Sequence, residues 1–313
     1  MKIGIIGVGY WGKNYARIFN ELGHQLYCCD IDKTKRIKGY KFTTDYKQLE
    51  VDAVVVSTPP ATHYEITKYC LEAGKDVLVE KPITLNAKEA EELVQIAKEE
   101  EKILMVGHTF IYNPAVQKLK DYDVGDICYL YSERTGLGLI RNDVNSMWDL
   151  APHDISIFLY LLDAMPTEVF AVGHSYLQND IEDVVFITLK FPNNILANIH
   201  VSWLDPYKIR RTTVVGTKKM VVFDDINKLE TLKIFDKGVD RTRKVYADYG
   251  EFQLSVRDGD VSIPKIEMTE PLKNQCKHFI DCVINRKKPL TDGENGLNVV
   301  RILEKAEQKL RKK

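Results

Sequence analysis

The sequence predicts an α/β chain of two domains: an amino-terminal doubly wound parallel sheet, then an α+β domain with an open, mostly antiparallel sheet. Three observations carry this. Apolar strand runs alternate with helical periodicity from Lys2 to Val106. A glycine-rich turn, Gly7-Val8-Gly9-Tyr10-Trp11-Gly12, joins the first strand to the first helix. Past Gly125 the pattern changes to consecutive strands joined by turns, as at Phe191-Pro192-Asn193-Asn194. The expected division is residues 1–117, then 118–290, with a last helix over 291–313 returning to the first domain through Leu297, Val300 and Leu303.

A length of 313 residues suits two cores, and 44% hydrophobic with 28% charged residues is an ordinary globular composition. The net charge of -1 gives no general attraction to nucleic acid or anionic membranes. No apolar run approaches a membrane span, and Met1-Lys2 leads straight into a strand rather than a signal peptide. The six cysteines show neither CxxC pairs nor zinc-like spacing, so no metal is expected. Thiols of this kind fit a reducing cytoplasm.

The elements follow in order. Lys2 to Ile6 reads as a buried strand and Lys13 to Leu22 as the helix after the glycine turn. Gly7 permits the tight turn, Gly9 lets main chain approach a pyrophosphate, and Gly12 allows close packing. Helix amides beyond Tyr10 and Trp11 then face the phosphate charge. The second strand, His24 to Cys29, ends at Asp30, where an acid bonds ribose hydroxyls and repels a 2′-phosphate. This favours NAD over NADP, although Lys33, Lys35 and Arg36 lie close behind. The run Asp52 to Ser57 suits a strand covered on both faces and ends at Thr58-Pro59, near the cofactor. His63 follows, as a cofactor neighbour or a helix-capping histidine. A helix over Tyr64 to Ala73 leads to the strand Val77-Leu78-Val79 and its terminus Glu80-Lys81-Pro82. A lysine at the carboxyl end of a parallel strand stands where open α/β sheets bind ligands.

In the second half, the helix Asp149 to Leu162 carries Asp149 and His153 four residues apart, hence on one face. Asp149 is expected at or near the helix cap, which would put Pro152 in the first turn, where amides lack intrahelical partners. Arg134 and Arg141 offer bidentate forks for a pyrophosphate or carboxylate, or are ordinary surface arginines. Tyr112 and Asn113 line a sugar pocket or make the joint between domains.

Taken together, Gly7-x-Gly9-x-x-Gly12, Glu80-Lys81-Pro82 and the Asp149-x-x-x-His153 pattern make the whole chain resemble the Gfo/Idh/MocA oxidoreductases. Gly107-His108-Thr109-Phe110, Tyr112-Asn113-Pro114 and Arg141-Asn142-Asp143-Val144-Asn145 leading into Trp148-Asp149 resemble one branch of that family. That branch oxidises the 3-hydroxyl of UDP-amino sugars, such as UDP-N-acetylglucosamine or its uronic acid. The resemblance implies NAD as hydride acceptor and Lys81, Asp149 and His153 as the catalytic set. His153 is then the proton acceptor and Lys81 the donor that holds the developing alkoxide, with Lys81 as base the alternative. Glu80, Thr58, Pro59 and His63 join the cofactor site; Arg141, Asn142 and Trp148 join the substrate site. It further implies a cis Lys81-Pro82 bond and a homodimer or homotetramer formed through the second-domain sheet. The exposed half of that sheet is expected to carry apolar residues such as Val185, Ile187, Ile199 and Val201, although alternation alone does not say which of them face out. An inositol or aldose dehydrogenase, an NAD-dependent glycosidase and a non-catalytic NAD-binding regulator remain the other readings.

Overall fold

The computed structural model describes residues 1–240 and 255–311. They form two compact units, Met1–Asn113 with Thr269–Glu304, and Pro114–Met268 with Lys305–Lys313.

The first unit alternates strands and helices: β1 (Lys2–Ile6), α1 (Tyr10–Glu21), β2 (Gln25–Cys29), β3 (Lys41–Thr43), β4 (Ala53–Val56), α2 (His63–Glu72), β5 (Asp76–Val79), α3 (Ala87–Glu99) and β6 (Leu104–Val106). The strands pair in parallel in the order β3-β2-β1-β4-β5-β6. All four β4 residues are fully buried, as are Val77, Leu78 and Val79 of β5. Such unbroken apolar runs are what a parallel sheet with both faces covered requires. The order reverses between β1 and β4, and every βα turn from Gly7 to Gly107 opens at the same, carboxyl edge.

The second unit contains α4 (Pro114–Lys120), β7 (Ile127–Thr135), α5 (Ser146–Leu162), β8 (Glu168–His174), β9 (Val184–Lys190), β10 (Leu196–Ser202), β11 (Ile209–Gly216), β12 (Met220–Asp224), β13 (Leu232–Asp240) and β14 (Ser255–Ser262). Its sheet runs β14-β13-β12-β11-β7-β10-β9-β8 and is antiparallel except where β10 lies parallel to β7. The β9–β10 turn uses Asn193 and Asn194 in the left-handed region, φ 60° and 59°, which asparagine tolerates better than most residues. Helix α5 covers β7, β10 and β9. Val185, Ile187, Ile199 and Val201, expected on the exposed half, are all on that covered face instead, with no exposure at all. The opposite face presents Tyr129, Tyr131, Phe170, Val172 and Phe186 instead. Alternation separates the two sets, but only the helix decides which is inside.

Two later helices, α6 (Pro271–Asn285) and α7 (Gly293–Leu310), complete the chain. Residues up to 290 were expected in the second domain, yet α6 belongs to the first unit. Its buried stripe Leu272, Cys276, Phe279 and Val283 is a helical spacing. Lys273 pairs with Glu21 at 2.7 Å, and Gln275 Nε2 donates to the Tyr15 hydroxyl at 2.9 Å. The α7 cap is the side chain of Asp292, which accepts from Asn295 N, rather than Thr291. Thr291 is buried and its hydroxyl donates to Val106 O. Residues 312 and 313, predicted within this helix, lie outside the described residues.

Candidate active site

In the first unit, Gly7 has φ +88°, and a Cβ there would lie 2.7 Å from Ser57 O. A Cβ on Gly12 would collide with Gly7 O, whereas one on Gly9 would meet nothing within 4 Å. Gly7 and Gly12 are therefore glycines for packing, and Gly9 leaves room in front of α1. That helix has Gly9 as N-cap, no side-chain cap and no acid in its first turn. Its leading amides are open to an anion, so a dinucleotide pyrophosphate fits this cradle. Tyr10 and Trp11, in edge-to-face contact, stand exposed beside it.

Asp30 follows β2 but is nearly buried: Oδ2 accepts from Val8 N at 2.7 Å and Oδ1 from Asp32 N at 2.9 Å. Lys35 Nζ lies 3.7 Å from Oδ2. The predicted ribose acid thus also ties the glycine loop to the end of β2.

The strongest convergence is around Lys81. The Lys81-Pro82 bond is cis. Glu80 points into the unit, accepting from the Tyr15 hydroxyl at 2.6 Å and from Lys81 N at 3.2 Å. Burial pushes its carboxyl pKa up; the Tyr15 bond and the Lys81 charge oppose that rise. His63 is equally dry, with Nδ1 2.7 Å from Pro82 O and Nε2 2.8 Å from Thr58 O. Neither Glu80 nor His63 is a surface group turned toward a ligand; both grip main chain around the lysine. The Thr58 hydroxyl accepts from Thr62 Oγ1 at 2.8 Å, and Pro59 begins the turn into α2. His108, one residue beyond Gly107, is buried without a hydrogen bond at either ring nitrogen. Burial first, then the Lys81 charge, brings its pKa down to about 3.

Tyr112 is part of the core rather than of a pocket. It is 2% exposed, its hydroxyl lies 3.0 Å from Thr291 Oγ1, and its carbonyl accepts from Asn274. Asn113, also buried, closes the first unit. A cleft of about 520 Å³, lined by Lys98, Lys102, Arg286 and Asp292 among others, opens beside Ile103 and Leu104, where β6 begins. That is the amino edge of the sheet, the wrong end for a cofactor.

In the second unit, α5 begins three residues earlier than expected. Asn145 caps it, accepting from Trp148 N at 3.1 Å, and Asp149 falls in the first turn. Pro152 is consequently in the helix interior, where its missing N–H leaves Trp148 O without the usual intrahelical donor. Asp149 and His153 share a helix face, about 6 Å apart by helical geometry. Arg141 donates to Asp149 Oδ1 at 3.4 Å and Trp203 Nε1 to Oδ2 at 3.3 Å. Arg141 binds Asp143 more closely, at 2.8 and 2.6 Å, which raises the guanidinium pKa. Trp148 is buried, its indole donating to Glu307, and Asn142 is exposed.

Arg134 departs from expectation. It is 4% exposed, and its fork is closed on Asp154 at 2.8 and 3.1 Å. No anion-binding fork is left to offer. Sequence reading missed Trp203 and Arg210. Trp203 continues the inward alternation Ala197, Ile199, Val201, which is a period-2 signal. Arg210 stands opposite Arg134 in the β11–β7 register, 3.8 Å from Asp225; burial and Arg134 lower its pKa. Only the register reveals it.

Among the described residues no group of three His, Cys, Asp or Glu side chains is arranged to hold a metal, and no helix is long and apolar enough to cross a membrane. A doubly wound sheet, an uncapped glycine-loop helix and a lysine at a strand's carboxyl end together define a dinucleotide-binding protein.

Comparison with known proteins specifies the family. Residues 1–108 match the Gfo/Idh/MocA model described as an oxidoreductase family with an NAD-binding Rossmann fold, and residues 141–222 match the family's C-terminal domain. The chain is 27% identical over 311 residues to a UDP-N-acetylglucosamine 3-dehydrogenase of Acidithiobacillus ferrooxidans, covering 96% of this chain and 94% of that one. A structure of that enzyme superposes with TM-score 0.84 at 26% identity, covering 99% and 97%. An oxidoreductase structure from Magnetospirillum magnetotacticum is 30% identical, TM-score 0.81, covering 97% and 99%. A myo-inositol 2-dehydrogenase of Thermotoga maritima is 24% identical, covering 95% and 92%. The chain belongs to the Gfo/Idh/MocA family of oxidoreductases, and its first 108 residues match that family's NAD-binding Rossmann domain.

Proposed function

We propose that the protein oxidises the 3-hydroxyl of a UDP-amino sugar, UDP-N-acetylglucosamine or its uronic acid, to the 3-keto sugar. The observation that carries this reading is the near full-length similarity to UDP-N-acetylglucosamine 3-dehydrogenase in both sequence and fold. NAD, when bound, supplies the hydride acceptor. Lys81 donates a charged hydrogen bond to the reacting oxygen and stabilises its alkoxide character. His153 takes the hydroxyl proton. Asp149, held between Arg141 and Trp203, orients His153 or bonds the substrate hydroxyl. Gly7, Gly9, Gly12, Tyr10, Trp11, Asp30, Thr58 and Pro59 form the cofactor side; Arg141 and Asn142 serve the substrate. The apolar face with Tyr129, Tyr131, Phe170, Val172 and Phe186 supports homo-oligomerisation, which light scattering would test. Unpaired cysteines, most of them buried, support a cytoplasmic setting.

The second reading keeps the chemistry and changes the substrate to a polyol, favoured by the similarity to myo-inositol 2-dehydrogenase. The deciding experiment follows NADH formation with UDP-N-acetylglucosamine, its uronic acid, UDP-glucose, glucose and myo-inositol, using a ketone trap to draw the equilibrium. Signal confined to the UDP-amino sugars is expected. Signal with a free polyol alone replaces the substrate, and silence with intact NAD binding brings the regulator forward.

A further inference from the structure

His63 has a bonding pattern that its cofactor-side location does not explain. It opens α2 and is 1% exposed. Both ring nitrogens face carbonyl oxygens, Pro82 O at 2.7 Å and Thr58 O at 2.8 Å. Carbonyls only accept, so each contact needs an N–H from the ring; the neutral imidazole has one and donates to one carbonyl at a time. Burial is the largest influence on this ring and favours the neutral form. The Lys81 charge acts in the same direction, and the two carbonyls oppose it. A leucine would fill the volume without desolvating a polar ring. What the imidazole alone does is stand between carbonyls of two neighbouring loops and donate to one of them.

Those carbonyls are not arbitrary. Val56 and Val79 are register partners on β4 and β5. Thr58 and Pro82 therefore belong to the two adjacent loops that leave the carboxyl edge of the sheet at the same level. Pro82 directly follows Lys81, and on the other flank Glu80 is anchored by Tyr15 and accepts from Lys81 N. The main chain of Lys81 is thus gripped before and after the residue, once from α1 and once from α2.

We propose that His63 is a positioning residue for Lys81: its ring ties the carbonyl that follows the lysine to the loop after β4, so that the lysine turn and the Thr58 loop are held as one body. The inference rests on the reading of Lys81 as the residue at the reacting oxygen. It assigns His63 no contact with cofactor or substrate.

The test uses the full chain with reductively ¹³C-methylated lysines, the Lys81 resonance being assigned by its loss in Lys81→Arg. His63→Leu is expected to displace or broaden that one resonance while the others stay in place, and His63→Gln, which supplies an N–H for one carbonyl only, to give a smaller displacement. With the active substrate, His63→Leu is expected to lower kcat about ten- to hundredfold, with the Kd for NAD within about threefold of wild type, as a misplaced reacting group would. A Lys81 resonance unmoved in folded His63→Leu overturns the proposal. Should that variant not fold, a Lys81 resonance at its wild-type position in His63→Gln does the same. A displaced resonance in a protein whose wild type turns over no sugar supports the brace and counts against the substrate reading alone.

Discussion

The two units hold the residues assigned to the proposed site by different means. Lys81 sits in a turn whose flanks are anchored by buried, short-range bonds from Tyr15, His63 and the main chain. Asp149 is held by a partly exposed arginine and an indole at 3.3 to 3.4 Å, and the dry charge pair of that unit, Arg134–Asp154, involves the residue after His153. Dry anchoring is rigid and insensitive to salt. Exposed ion pairs are weak, screened and adjustable.

The comparison can be broken most severely at Arg134. Arg134→Met leaves the Asp154 carboxylate buried without its cation, an expected loss of about 3–5 kcal/mol by urea unfolding. Adding Asp154→Leu should recover much of it, because the uncompensated charge is gone. Next comes Lys81→Ala, expected to reduce kcat by about 10²–10³ while NAD still binds, since a donor to the developing alkoxide is lost. Isothermal titration with NAD separates the two effects.

A smaller effect concerns His108. Its folded pKa of about 3 lies below the ordinary value of 6.5, so between these limits the unfolded chain binds more protons than the folded one. This contribution to stability is present above the ordinary value and is lost as pH falls toward the folded value, with a slope approaching about 1.4 kcal/mol per pH unit. His108→Leu should flatten the acid limb of the stability profile; an unchanged limb would mean the imidazole is hydrated. The smallest change is expected for Arg141→Ala. Its ion pairs are partly exposed, so stability should move by less than about 1 kcal/mol. The KM for sugar should rise, and the salt dependence of KM should diminish.

The first unit was largely legible because its signals are local. Glycine spacing, unbroken β4 and β5 runs and a lysine at a strand end all state their roles within a few residues. The second was less so. The α5 start was misplaced because Asp149 looks like a cap, whereas Asn145 has the stronger claim only once Ser146 is seen to be helical. Arg134 reads as a fork for an anion until Asp154, a helix away, is found beneath it. Tyr112 read equally as a pocket residue or as part of the joint between domains, because its partner Thr291 is 179 positions distant. Glu80 and His63 were read as cofactor neighbours from their position, but their inward direction depends on Tyr15 and on the Thr58 and Pro82 carbonyls. Apart from the α5 start, each difference is a long-range partner that no local pattern encodes.

The most direct test of the central claim is hydride transfer from a defined carbon. UDP-N-acetylglucosamine and its uronic acid, each deuterated at C3 of the sugar, are incubated with enzyme and NAD, and the nucleotide is examined by mass spectrometry. The account expects the deuterium in NADH and a slower turnover than with the protio substrate. NADH formed without the label, or from myo-inositol alone, would contradict it.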